Sequence, residues 1–72
     1  DPKCLYSRAL KSSASAVIVA HSHPSGDPTP SNEDIEVTKR LKEVGEIVDV
    51  DFLDHIILGD NNHISLKETH FF

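Results

Sequence analysis

Apolar positions recur along this chain in blocks, and the spacing within each block predicts its element. Ala16-Val17-Ile18-Val19-Ala20 is an unbroken apolar run, too short and too β-branched for a helix, and without polar alternation it predicts a strand buried on both faces. Ahead of it, Asp1-Pro2 reads as an N-cap and first-turn proline for a helix from Lys3 to Ala14, with Leu5, Ala9 and Leu10 on one stripe. The serine-rich Ser12-Ser13-Ala14-Ser15 ends it, and so short a return predicts that the helix packs across the sheet beside the 16–20 strand. From Asn32, the positions Val37, Leu41, Val44 and Val48, reinforced by Ile35 and Ile47, follow helical spacing. Gly45 interrupts this pattern without ending it, so the helix is placed to Val48 with Asp49 as a left-handed cap. Val50 to Leu58 then reads as a strand, Gly59-Asp60-Asn61-Asn62 as a turn, and His63 to Leu66 as a short returning strand.

The order helix, strand, helix, strand, strand predicts an α/β domain with a mixed sheet. The second helix crosses over between parallel strands, and the last two strands form a hairpin. Polar positions add detail. Glu36, Lys39, Arg40, Lys42, Glu43 and Glu46 occupy the far side of the second helix and read as a solvated face. Cys4 and Tyr6 have no motif around them and are read as packing residues; His63 and His70 are expected to be exposed.

Length and charge narrow the classes. Seventy-two residues make one small domain at most, near the size at which metals or partners help a core. A single cysteine excludes an internal disulfide and a thiolate zinc shell, and so a zinc deaminase; the length excludes an amidohydrolase barrel. Twelve acids against seven bases give a net charge of −5, which disfavours direct nucleic-acid binding. With no membrane-length apolar stretch, the expectation is a soluble, cytoplasmic protein.

The chemistry concentrates between His21 and Asp34, in HSHPSGDPTPSNED. Side chains two apart on an extended backbone point the same way, so His21 and His23 can converge on one ion at the strand's exit. Pro24, Pro28 and Pro30, with Gly26, force a reversal. Ser31-Asn32-Glu33-Asp34 has capping-box spacing, which puts Asp34 in the first helical turn. If the loop folds back, Asp34 becomes a third ligand, and a tetrahedral zinc would keep one position for water. Ser31 can cap the helix and still offer its hydroxyl proton. Asp54-His55 could orient a ligand, but His55 is read here as a packed, hydrogen-bonded residue outside the metal shell.

His21-x-His23, seven residues, then Ser31-x-x-Asp34 resembles the JAMM motif of the JAB/MPN metallopeptidases, and the wording of the loop together with LDHIILGD resembles the bacterial RadC proteins in particular. The likeness covers nearly the whole chain. It implies a portion of a three-layer, cytidine-deaminase-like domain and a zinc hydrolase acting on peptide or isopeptide bonds. It also implies Zn2+ held by His21, His23 and Asp34, with Ser31 assisting the oxyanion. The family motif includes a general-base glutamate on an upstream strand, and no Glu precedes His21 here, so residues 1–72 are expected to be the C-terminal part of a longer domain, inactive alone. RadC proteins carry a DNA-repair label, and the negative charge makes any such link indirect. A metal-stabilised, non-catalytic interaction module is the rival expectation.

Overall fold

The computed structural model describes residues 2–72, so the expected N-cap at Asp1 lies outside the described residues. Five elements follow in order: α1 (Pro2–Lys11), β1 (Ala16–Ser22), α2 (Asn32–Val48), β2 (Asp51–Leu58) and β3 (His63–Ser65). β1 pairs with β2 in parallel and β2 with β3 antiparallel, in sheet order β1-β2-β3.

α1 stops three residues before the predicted end. Ser13 adopts a left-handed conformation (φ 59°), Ser12 donates its hydroxyl to the Ala9 carbonyl at 3.1 Å, and the Ala14 N–H closes on the same carbonyl at 2.9 Å. These local bonds replace the next helical turn. The helix leans chiefly on α2 rather than lying along β1: the Tyr6 hydroxyl donates to the Leu41 carbonyl at 2.5 Å. Tyr6 and Ala9 are buried, as packing residues should be, whereas Leu10, about 100° round from Ala9, is 53% exposed and Cys4 is exposed instead of packed.

α2 has the predicted limits. Ser31 and Asp34 form a full capping box, and Asp49 closes the other end at φ 60°, ψ 41°. Gly45 is there because α1 comes close: a Cβ would stand 2.6 Å from both Tyr6 Oη and the Val50 carbonyl oxygen. Along the predicted stripe Leu41 is buried and Val37, Val44 and Val48 are half-buried, but Ile47 is 82% exposed, since six residues from Leu41 turn it about 120° off the inner face.

Tyr6, Ala9, Leu41, Val50 and Phe52 form one core cluster, with Val17 and Val19 of β1 packed against it. The helices therefore cover a single sheet face. This corrects the expectation for β1, whose residues alternate: Ala16, Ile18 and Ala20 are exposed, Ile18 by 59%. At the C-terminus, Phe72 packs a tilted ring against Phe52, with 5.4 Å between ring centroids.

A β-bulge completes the sheet. Val17 pairs with Phe52 but Ile18 pairs with Asp54, leaving Leu53 as the extra residue of β2. An inserted residue reverses the facing of all that follow. Phe52, His55 and Ile57 consequently share the buried side.

Candidate metal centre

The parallel pairing sets the C-terminal end of β1 beside the N-terminus of α2. His21 and His23 project from the strand end and Asp34 from the first helical turn. One ligand atom of each lies within 4.8 Å of the others. His23 Nε2 is 3.0 Å from Asp34 Oδ2, and His21 Nε2 is 3.4 Å from Asp34 Oδ1. Donors about 2.0–2.1 Å from a tetrahedral zinc would stand roughly 3.4 Å apart, so the two histidine–carboxylate separations are close to what an ion needs.

The loop between these elements is fastened to the β2–β3 turn. The His23 N–H bonds the Leu58 carbonyl at 3.2 Å, the Gly26 N–H the His23 carbonyl at 3.0 Å, and the Asp60 N–H the Gly26 carbonyl at 3.0 Å. Gly26 has φ +82°, and a Cβ there would run into the Asp60 carboxylate. Only glycine meets both demands. Asp27 accepts from the backbone and hydroxyl of Thr29 at 3.0 and 2.7 Å, and these bonds lower its pKa, side-chain bond first.

His23 Nδ1 lies 2.9 Å from the Asp27 carbonyl oxygen. A carbonyl only accepts, so Nδ1 carries the proton, and a neutral His23 presents its Nε2 lone pair to Asp34. Two acceptors facing each other at 3.0 Å require a proton or a cation between them. The donor set of two imidazoles and one carboxylate, with no thiolate, suits zinc and other divalent first-row metals.

Burial of Asp34 opposes its ionisation. The backbone and side-chain hydrogen bonds from Ser31 and the nearby His23 and His21 outweigh that, and hold the carboxyl below the usual carboxylate range. The Ser31 N–H donates to Asp34 Oδ2 at 2.8 Å, while the Ser31 hydroxyl accepts from the Asp34 backbone N–H at 3.0 Å and so closes the cap. The ionised carboxylate also sits favourably at the positive end of α2.

His55 is more closely involved than its sequence context suggests. It is 3% exposed, and its Nε2 lies 2.7 Å from His21 Nδ1 while its Nδ1 lies 2.7 Å from the hydroxyl of fully buried Thr38. Burial, and then the neighbouring His21, lower its pKa, which keeps the ring neutral. Asp54, the suspected partner, instead accepts from the His55 backbone N–H at 2.7 Å and from Ser65 at 2.5 Å. Thr38 had no motif to mark it; its spacing of one helical turn from Asp34 was the only sign. His63 and His70 are exposed, as expected.

Beside the ligands opens a cavity of about 500 Å³, lined by apolar Val19, Val37 and Leu41 and by His21, Asp34 and Glu33. Among the described residues, no helix is long and apolar enough to cross a membrane.

The sequence model of the RadC-like JAB domain matches residues 1–71. A UPF0758 protein of Geobacillus thermodenitrificans is 58% identical over 67 residues, which cover 93% of this chain and 30% of that protein. One from Clostridium botulinum strain Hall is 51% identical over 67 residues, 93% of this chain and 29% of its own length. The chain thus spans under a third of the curated relatives it matches, and by its sequence it belongs to the RadC-like JAB domain family.

Proposed function

We propose that His21, His23 and Asp34 hold a zinc ion and that the protein carrying these residues is a metallohydrolase of the peptidase or isopeptidase type. The observation that carries this reading is the convergence of the three ligand atoms, with His23 Nε2 aimed at a carboxylate oxygen 3.0 Å away. Bound there, zinc would lower the pKa of a water molecule and polarise a scissile carbonyl.

The chain's own residues would do the remaining work. Asp34, kept ionised by Ser31, offsets the ion's charge at the helix N-terminus. Ser31, at the rim, would offer its hydroxyl to the developing oxyanion. The apolar wall of the adjacent cavity would exclude water on one side of a bound peptide. A general base is still needed. Asp27 is committed to Thr29, and Glu33, though it lines the cavity, is exposed; the reading therefore assigns the base to a glutamate outside these 72 residues.

Metal analysis of the purified protein should find one zinc per domain, and His23→Ala should lose it, because two ligands hold a tetrahedral ion poorly. Unchanged zinc content in His23→Ala would remove the assignment. Hydrolysis of linear and isopeptide-linked substrates by the complete protein should be abolished by chelation, while residues 1–72 alone, loaded with zinc, should be inert. Tight metal binding with no hydrolysis by the complete protein would favour a metal-stabilised interaction module.

A further inference from the structure

We propose that Thr38 and His55 form a proton-ordering chain that fixes His21 as its Nδ1–H tautomer and so presents the Nε2 lone pair to the metal. The proposal deepens the metal-site reading and rests on it for the ligand role of His21.

The argument runs along three contacts. Thr38 Oγ1 is 2.7 Å from the Asp34 carbonyl oxygen, one helical turn back. A carbonyl has no proton, so the single hydroxyl proton of Thr38 is committed there. Toward His55 Nδ1, also 2.7 Å away, Thr38 has only a lone pair left, and Nδ1 must therefore be the donor. Neutral His55 then carries its one proton on Nδ1 and offers a lone pair at Nε2. That lone pair faces His21 Nδ1 at 2.7 Å, so His21 Nδ1 donates, and its own lone pair is left at Nε2, the atom turned to Asp34.

An imidazole–imidazole contact alone can run in either direction, and in the opposite one His21 would carry its proton on Nε2, where the metal must sit. Thr38 decides between the two. The reversed order would set two protons against each other or leave acceptors facing without one, at groups 0% and 3% exposed where water cannot compensate. The two histidine ligands are thus poised by different means: His23 by the Asp27 carbonyl of its own loop, His21 by a buried chain rooted in α2. Because Thr38 follows Asp34 by one turn, the helix that supplies the third ligand also orients the first. Thr38 and His55 act through His21 and are positioning residues.

The test is imidazole 15N NMR on the chelator-treated protein, combined with zinc affinity by chelator competition for wild type, Thr38→Val and Thr38→Ser. Wild type should show His21 and His55 both as Nδ1–H tautomers. Thr38→Val, nearly isosteric, should mix the tautomers of both rings and weaken zinc binding by about 10–100-fold, while Thr38→Ser should restore order and affinity. His21 found as the Nε2–H tautomer in wild type, or Thr38→Val binding zinc as tightly as wild type, would overturn the proposal. Should Thr38→Val not fold, the wild-type spectrum and Thr38→Ser still decide it. Wild type that binds no zinc would defeat the metal reading, and the tautomer spectrum would then judge the proton order by itself.

Discussion

Asp34 carries three tasks at one position: it closes the capping box, faces both imidazoles, and neutralises the start of α2. Its carboxyl is held below the ordinary 3.8, so the unfolded chain takes up this proton at a higher pH than the folded protein does. The stability it contributes is therefore complete above that ordinary value and is lost as pH falls through the depressed folded one. In chelated protein, the gap in urea midpoint between wild type and Asp34→Asn should be widest at neutral pH and shrink once the pH drops below 3.8. A gap that stays constant down to pH 2.5 would mean that ionisation plays no part. The cap made by Ser31 and Asp34 and the convergence of His21, His23 and Asp34 could be read from sequence, because capping and this spacing are local. His55 could be read only halfway. Its burial and bonding were expected, but its contact with His21 depends on a bulge that no local pattern announces, and strict alternation from Phe52 would have sent it to the opposite face.

Among the elements, α2 was the most legible, from Ser31 to Asp49, since both ends carry their own capping chemistry. β1 was read with the right start but as buried on both sides. An apolar run reports hydrophobicity, not which neighbours exist to cover it, and here the helices cover only the Val17–Val19 side. Gly45 shows the reverse case. By helix propensity alone Gly45→Ala should stabilise α2 by about 1 kcal/mol. The added methyl would meet Tyr6 Oη and the Val50 carbonyl, each 2.6 Å away, and Tyr6 cannot retreat without giving up its bond to Leu41. Overpacking of this kind costs about 1–3 kcal/mol and commonly exceeds the propensity gain. Urea unfolding should show Gly45→Ala less stable than wild type; equal or greater stability would show that the α1–α2 contact yields easily.

For the molecule as a whole, a small core makes a bound ion a large share of the total stability. With free zinc at a hundred times its dissociation constant, mass action adds about 2.7 kcal/mol, which for a domain of this size raises the melting temperature by roughly 10–20 °C. Melting curves with and without zinc should show that rise in wild type and little of it in His23→Ala. No rise in wild type at saturating zinc would mean that the ion prefers no particular state. That preference cannot come from the ligands alone. His21, His23 and Asp34 lie within fourteen residues of each other, and a loop that short closes cheaply even in a disordered chain, so an unfolded molecule could also chelate. The contact from His55 to His21 spans 34 positions and exists only once both strands are paired. The difference between sequestering zinc with a flexible peptide and sensing a finished fold with it would then reside in long-range contacts of this kind, from His55 to His21 and from the Leu58 carbonyl to the His23 N–H: with them, metal occupancy measures how much of the population is native, and without them, occupancy measures only how much chain is present.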